Sequence, residues 1–354
     1  MKQIFMVACI ALVVLALPAL GSPSSGQRVF SLSMQDEPAE QGSTTETEVV
    51  ETSFSLDGPS YLISDQPLFG DAEVLWPGFL TGMRSKWTFQ EKFASPVGSP
   101  LYFEDPFIQS SLRFVYLWHD FSPASQLAGG ELSAWALQVR LALTERLALI
   151  ATKDGYTTFK SGITPDGDGW NDAALGLKYL FLVDEPNEFA LAGGLRWEWH
   201  NGDRDILQGG DGGHDELSPF ISLAKGWDRF HFIGALNYRV PMDWDEGNHV
   251  LHWDAHFDYE IAPDMLPGFF PLFELHGVHY ITDGERLPLG VGGLDYTNLG
   301  STNVAGSSVI WGDLGFRWKL TPNTSFGAAY GFPISNPAND IFGQRVTVDF
   351  IFSF

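Results

Sequence analysis

The chain has 354 residues, with 44 Asp and Glu against 20 Lys and Arg, a formal net charge of −24. Binding a phosphate backbone needs clustered Lys and Arg, so this balance argues against any nucleic-acid partner and instead favours cations over anions. The single cysteine, Cys9, lies in a segment expected to be removed on export; the mature chain then has no thiol for disulfides, thiolate catalysis or cysteine metal sites.

At the N-terminus, Lys2 precedes an apolar run from Ile4 to Leu17, followed by Pro18, Ala19, Leu20 and Gly21. This pattern predicts a signal peptide over 1–21. The run is shorter than the roughly 20 residues of a spanning helix, and no later stretch approaches that length, so any membrane insertion is as a barrel. Residues 22–60 are rich in Ser, Thr, Glu and Pro, with Arg28 the one basic residue, and read as a disordered acidic leader. Residues 61–109 mix Pro, Gly and aromatics, as in Leu101-Tyr-Phe-Glu-Asp-Pro-Phe107, without a sustained period. For this irregular segment a periplasmic place and a plug inside the barrel mouth are both open.

From Ser110 onward, alternating stretches of about ten residues recur, the length a tilted transmembrane strand requires. Twelve are predicted, near 110–120, 131–143, 147–156, 172–183, 188–200, 216–225, 229–240, 249–261, 269–282, 307–320, 324–332 and 343–354. Thr144-Glu-Arg146, Asp184-Glu-Pro-Asn187, Gly226-Trp-Asp228 and Thr321-Pro-Asn323 make tight turns, whereas 157–171, 201–215 and 283–306 are long polar loops. Short turns at one end and long loops at the other fit an even-stranded barrel with both termini periplasmic. The expected fold is therefore all-β, a transmembrane antiparallel up-and-down barrel of about twelve strands over 110–354.

The last strand shows the pattern most clearly. Val346, Val348, Phe350, Phe352 and Phe354 share one face, while Arg345, Thr347, Asp349 and Ser353 share the other, broken by Ile351. Alternation alone does not say which face meets water, and a soluble barrel with its apolar face inward shows the same period. Aromatic placement favours lipid: Tyr116, Trp118, Trp135, Trp197, Trp199 and Tyr238 fall near one set of strand ends, and Tyr179, Phe181, Phe230, Tyr259 and Trp318 near the other.

The opposite faces collect Arg113, His119, Gln138, Arg140, Lys178, Arg196, Glu198, His231, Asn237, Arg239, Glu274, His276, Asp313, Arg317 and Lys319. The longest polar ladder is His252, Asp254, His256, Asp258 and Glu260. Twelve strands tilted by about 40° enclose a backbone diameter of roughly 24 Å, which side chains narrow to a bore for small solutes. Residues expected to set conduction are Arg140, Arg196, Glu198, Arg239, His252, Asp254, His256, Asp258, Glu274 and Arg317, since charged rings and ladders select ions.

Other chemistries have weaker signals. Two His two residues apart on a strand can share a metal ion with a carboxylate, with Zn or Ni suited to such a set, but no third clustered ligand follows from spacing, and the ladder is read instead as a hydrated, charge-balanced wall. The loops Asp166–Asp172 and Gly209–Glu216 are acidic and Gly-rich without EF-hand spacing, so no calcium site or other cofactor is assigned. No G-x-S-x-G elbow occurs, and the lipid-facing His279 finds no serine partner in the sequence.

The stretch Gly169-Trp-Asn-Asp-Ala-Ala-Leu-Gly-Leu-Lys-Tyr179 resembles the descending-strand motif of outer-membrane proteins grouped with the meta-pathway phenol-degradation family. Gly312-Asp-Leu-Gly-Phe-Arg-Trp318 and Pro271-Leu-Phe-Glu-Leu275 resemble further strands of that family, over about the last two-thirds of the chain. The terminal aromatic strand is likewise similar to the C-terminal signal that the barrel-insertion machinery reads. The resemblance implies an outer-membrane transporter, in some members for aromatic or other hydrophobic compounds, and carries no catalytic motif. The leading expectation is a passive channel for small solutes, embedded in outer-membrane lipid. A closed structural or binding barrel acting through acidic outer loops is the alternative, and a lipid hydrolase a further one.

Overall fold

The computed structural model describes residues 87–209, 214–336 and 341–354. The expected signal peptide, the leader and the first part of the irregular segment lie outside the described residues.

Fourteen strands follow one another along the described chain: β1 (Ser111–Phe121), β2 (Gly130–Ala142), β3 (Leu147–Ala151), β4 (Gly155–Ser161), β5 (Gly167–Trp170), β6 (Ala174–Asp184), β7 (Phe189–Glu198), β8 (Glu216–Trp227), β9 (Phe230–Pro241), β10 (Val250–Tyr259), β11 (Phe269–Tyr280), β12 (Ser308–Thr321), β13 (Thr324–Pro333) and β14 (Phe342–Ser353). All pairings are antiparallel between neighbours, and β1 bonds both β14 and β2, which closes a twelve-strand barrel.

The two extra strands come from interruptions. β2 pairs with β4 through Gly130–Ala136 and with β3 through Val139–Ala142, so β3 and β4 are two halves of one barrel strand, broken at 152–154. A matching break at 171–173 separates β5 from β6. At the first break Lys153 turns inside and bonds Glu198. At the second, the Asp172 carboxylate accepts amides from Gly202 at 2.7 Å and Gly209 at 3.1 Å, so this acidic loop satisfies its own backbone. Side-chain demands made inside the barrel thus override the strand period locally.

The two faces of the wall are chemically inverted relative to a water-soluble barrel. Phe114, Trp135, Leu314 and Trp170 stand out at 53%, 62%, 57% and 65% exposure, while Arg239, His256, Glu274, His276, Asp313 and Arg317 are fully buried. On β14 the outward Phe350 lies opposite Phe114 of β1 and the inward Asp349 opposite Val115, one register setting both faces.

The tight turns carry their own chemistry. Thr144 Oγ1 accepts the amides of Arg146 and Leu147, Asp184 accepts that of Asn187, and Thr321 accepts those of Asn323 and Thr324. Glu188 and Asp228 take left-handed backbone conformations, φ 50° and 63°.

Candidate functional site in the barrel interior

The segment before β1 occupies the space the sequence left open. It starts at the short-turn end, where Trp87 lies beside Arg146 and a short 3-10 helix, Thr88–Lys92, reaches Glu185 and Glu188. It then climbs inside the barrel, turns at Ser99–Phe103, and descends to β1. Its lack of period has a physical cause: many of its residues answer particular wall side chains, and no neighbour strand imposes alternation.

The anchors are mostly charged. Glu104 accepts two bonds from the Arg140 guanidinium, at 2.9 and 2.6 Å, and one from Lys178 at 2.7 Å. Burial pushes the Glu104 carboxyl up, but Arg140 and then Lys178 outweigh it and hold the group well below its ordinary range. Arg113 and Arg317 share Asp349, and both also donate to the Pro96 carbonyl. Gln138 donates to the Pro100 carbonyl at 2.7 Å. Tyr102 donates to Glu198 at 2.9 Å, stacks on His252 at 4.7 Å, and lies under the guanidinium groups of Arg196 and Arg239 at 5.0 and 4.9 Å.

The loop between β11 and β12 closes the interior from the long-loop end. Within it Val291, Leu294, Leu299 and Val304 are buried, and the Asp295 carboxylate takes a bidentate pair from Arg345 at 2.8 and 2.7 Å. Burial raises the Asp295 carboxyl, yet Arg345 overcomes this and sets it well below the usual range. The expectation of a long polar loop over 283–306 is corrected in its polarity, because its apolar residues find a core under the barrel mouth. The two fillers meet at Arg239, which binds Glu216 at 2.7 Å, donates to the Leu294 carbonyl at 3.1 Å and faces the Tyr102 ring. Between them lies an apolar cavity bordered by Leu101, Leu117, Phe121, Leu132, Phe159 and Leu294.

All ten residues expected to set conduction point inside and are buried: Arg140, Arg196, Glu198, Arg239, His252, Asp254, His256, Asp258, Glu274 and Arg317. They contact the fillers, one another or neighbouring wall residues, so the ladder forms a buried, bonded network where a hydrated wall was expected. His231 bonds Asp258 at 2.7 Å, His256 bonds Asp258 at 3.1 Å and Glu274 at 2.7 Å, and His276 bonds Asp254 at 2.6 Å. Glu260 falls beyond the end of β10 and stays half-buried. Glu274 further accepts the amides of Val97 and Gly98, at 2.8 and 2.6 Å.

Sequence reasoning missed Tyr102, Glu104 and Asp295 as partners; charged residues set among aromatics in an aperiodic stretch were the available signal. It also found no serine for His279, whereas cross-strand register brings Ser308 to its Nδ1 at 2.7 Å on the outer face.

Solved structures are similar to this chain to different degrees. The crystal structure of the COG4313 outer membrane channel from Pseudomonas putida F1 matches at TM-score 0.51 and 12% identity, over 74% of this chain and all of that one. The NanC porin matches at TM-score 0.42 and 11% identity, over 69% of this chain and all of that one. The first of these likenesses establishes a common β-barrel fold. No family model and no curated protein matches the chain.

Proposed function

We propose that the chain is an outer-membrane channel or passive transporter for small solutes, closed in this conformation by its own 93–110 segment and the β11–β12 loop. The observation that carries this reading is the inverted barrel, with a lipid-compatible exterior around buried, mixed charge. Export through an N-terminal signal, the division at 21, 60 and 109, and recognition of the Phe354 strand by the insertion machinery belong to the same proposal. The apolar cavity supports a hydrophobic or aromatic solute, in keeping with the resemblance to phenol-degradation barrels. Bilayer conductance under a salt gradient tests the channel role: discrete cation-preferring steps once the fillers are loosened support it, with the preference reduced by Asp254→Asn and Asp258→Asn together. Unchanged reversal potential in that double variant counts against conduction past the ladder.

The filled interior favours a second reading, a closed barrel that is structural or binds through its outer loops. Persistent silence of the bilayer after loosening the fillers supports it. The exposed His279–Ser308 pair favours a lipid hydrolase, and failure of a fluorophosphonate to label Ser308 removes that option.

A further inference from the structure

We infer that Glu274, His276 and Asp313 form a binding site for one divalent transition-metal ion inside the barrel. Glu274 and His276 stand two residues apart on the inner face of β11, and Asp313 lies opposite Glu274 on β12. His276 Nε2 is 3.3 Å from Glu274 Oε2 and 3.2 Å from Asp313 Oδ2, and one candidate ligand atom from each residue falls within 4.8 Å of the other two. With metal–ligand distances of about 2.0–2.2 Å, atoms around one ion stand roughly 3.0–3.5 Å apart.

Independent observations point to an ion. Apart from these imidazole–carboxylate contacts with one another, both Asp313 carboxylate oxygens and His276 Nε2 are buried without a hydrogen-bond partner, in residues that are 0% exposed. Such groups are costly unless a cation or donors compensate them. His276 Nδ1 meets the Asp254 carboxylate at 2.6 Å, an arrangement that suits a proton on Nδ1 and leaves Nε2 facing Glu274 and Asp313. A carboxylate behind the imidazole is the usual orienting partner of a metal-bound His. The space is also shaped: a Cβ on Gly98 would come within 2.5 Å of Asp313 Cγ, and one on Gly331 within 2.8 Å of Asp313 Oδ1. Trp311 stacks on the His276 ring at 5.1 Å and Phe103 meets its edge at 5.9 Å, giving the site apolar walls.

One imidazole and two carboxylates, with no thiolate, suit Zn²⁺, Mn²⁺, Fe²⁺ or Co²⁺. Because Glu274 also holds the Val97 and Gly98 amides, an ion here ties the inner segment to the wall.

The test is metal content of the full-length chain refolded in detergent with Co²⁺ or Zn²⁺, then passed over a chelating resin. One retained equivalent is expected, with Co²⁺ visible bands of a nitrogen-and-oxygen site. His276→Gln and Asp313→Asn abolish retention, while Asp254→Asn, acting as a positioning change, weakens it about 10–100-fold. His200→Gln, on the exterior, leaves it intact. Retention by the unaltered chain no greater than by Asp313→Asn, with both running as folded heat-modifiable bands, overturns the site in favour of an ion-paired triad. So does a Co²⁺ spectrum unchanged by His276→Gln. Should the ligand variants fail to fold, the unaltered chain decides: a retained equivalent with a raised unfolding temperature in Zn²⁺ supports the site, and the lack of both overturns it.

Discussion

The wall and its filling are built on different rules. Along β14 a period of two puts Phe350 and Phe352 outside and Arg345, Thr347 and Asp349 inside, and the cross-strand ladder reinforces the same choice at every step. The 93–110 segment has no ladder. It is held by specific partners, Glu104 with Arg140 and Lys178, Pro96 with Arg113 and Arg317, and Gly98 with Glu274. A wall made of repeated backbone pairing tolerates single changes, whereas a filling made of buried charge pairs depends on each one, since stripping one partner leaves an uncompensated charge.

That contrast breaks most sharply at Glu104. Glu104→Ala leaves Arg140 and Lys178 without their shared carboxylate and costs about 3–5 kcal/mol. The expected result is release of the inner segment with the barrel intact, read as protease cleavage before residue 110 while the heat-modifiable band persists. Gly98→Ala comes next: its Cβ would press to 2.5 Å from Asp313 Cγ, an overpacking cost of about 1–3 kcal/mol. Partial proteolytic sensitivity of the same segment checks it. Asp295→Asn keeps the shape but weakens the Arg345 pair, at about 1–3 kcal/mol, and loosens only the β11–β12 loop. Hydrogen exchange confined to 287–301 is the expected signature, and exchange spreading to 94–105 would show the two fillers to be one unit.

The smallest effect is that of mild acid. Glu104 and Asp295 are held below their ordinary values of 4.5 and 3.8, so their stabilisation is fully present above those values and is lost as pH falls through the lower folded ones. With respect to these two anchors, closure measured by proteolysis stays flat from about pH 8 to about pH 5 and weakens only in strong acid.

The same contrast explains what was legible. Strand positions, the Thr144, Asp184 and Thr321 turns and the inward ladder follow from local period and turn chemistry, so they could be read one residue at a time. The breaks at 152–154 and 171–173 could not, because Lys153 and Asp172 leave the period to meet partners 45 and 30 residues away in sequence. Glu104 and Asp295 reach Arg140 and Arg345 across the interior, a match of charge and place that no spacing encodes. Asp313 beside His276, and Ser308 beside His279, needed the β11–β12 register.

The most direct test of closure is single-channel conductance of the refolded chain in a planar bilayer, compared with the double variant Glu104→Ala, Asp295→Asn, which loosens both fillers. Inserted but silent protein, with discrete steps only in the double variant, is the expected result. Steady conductance of equal size in both contradicts a lumen closed by the inner segment and the β11–β12 loop.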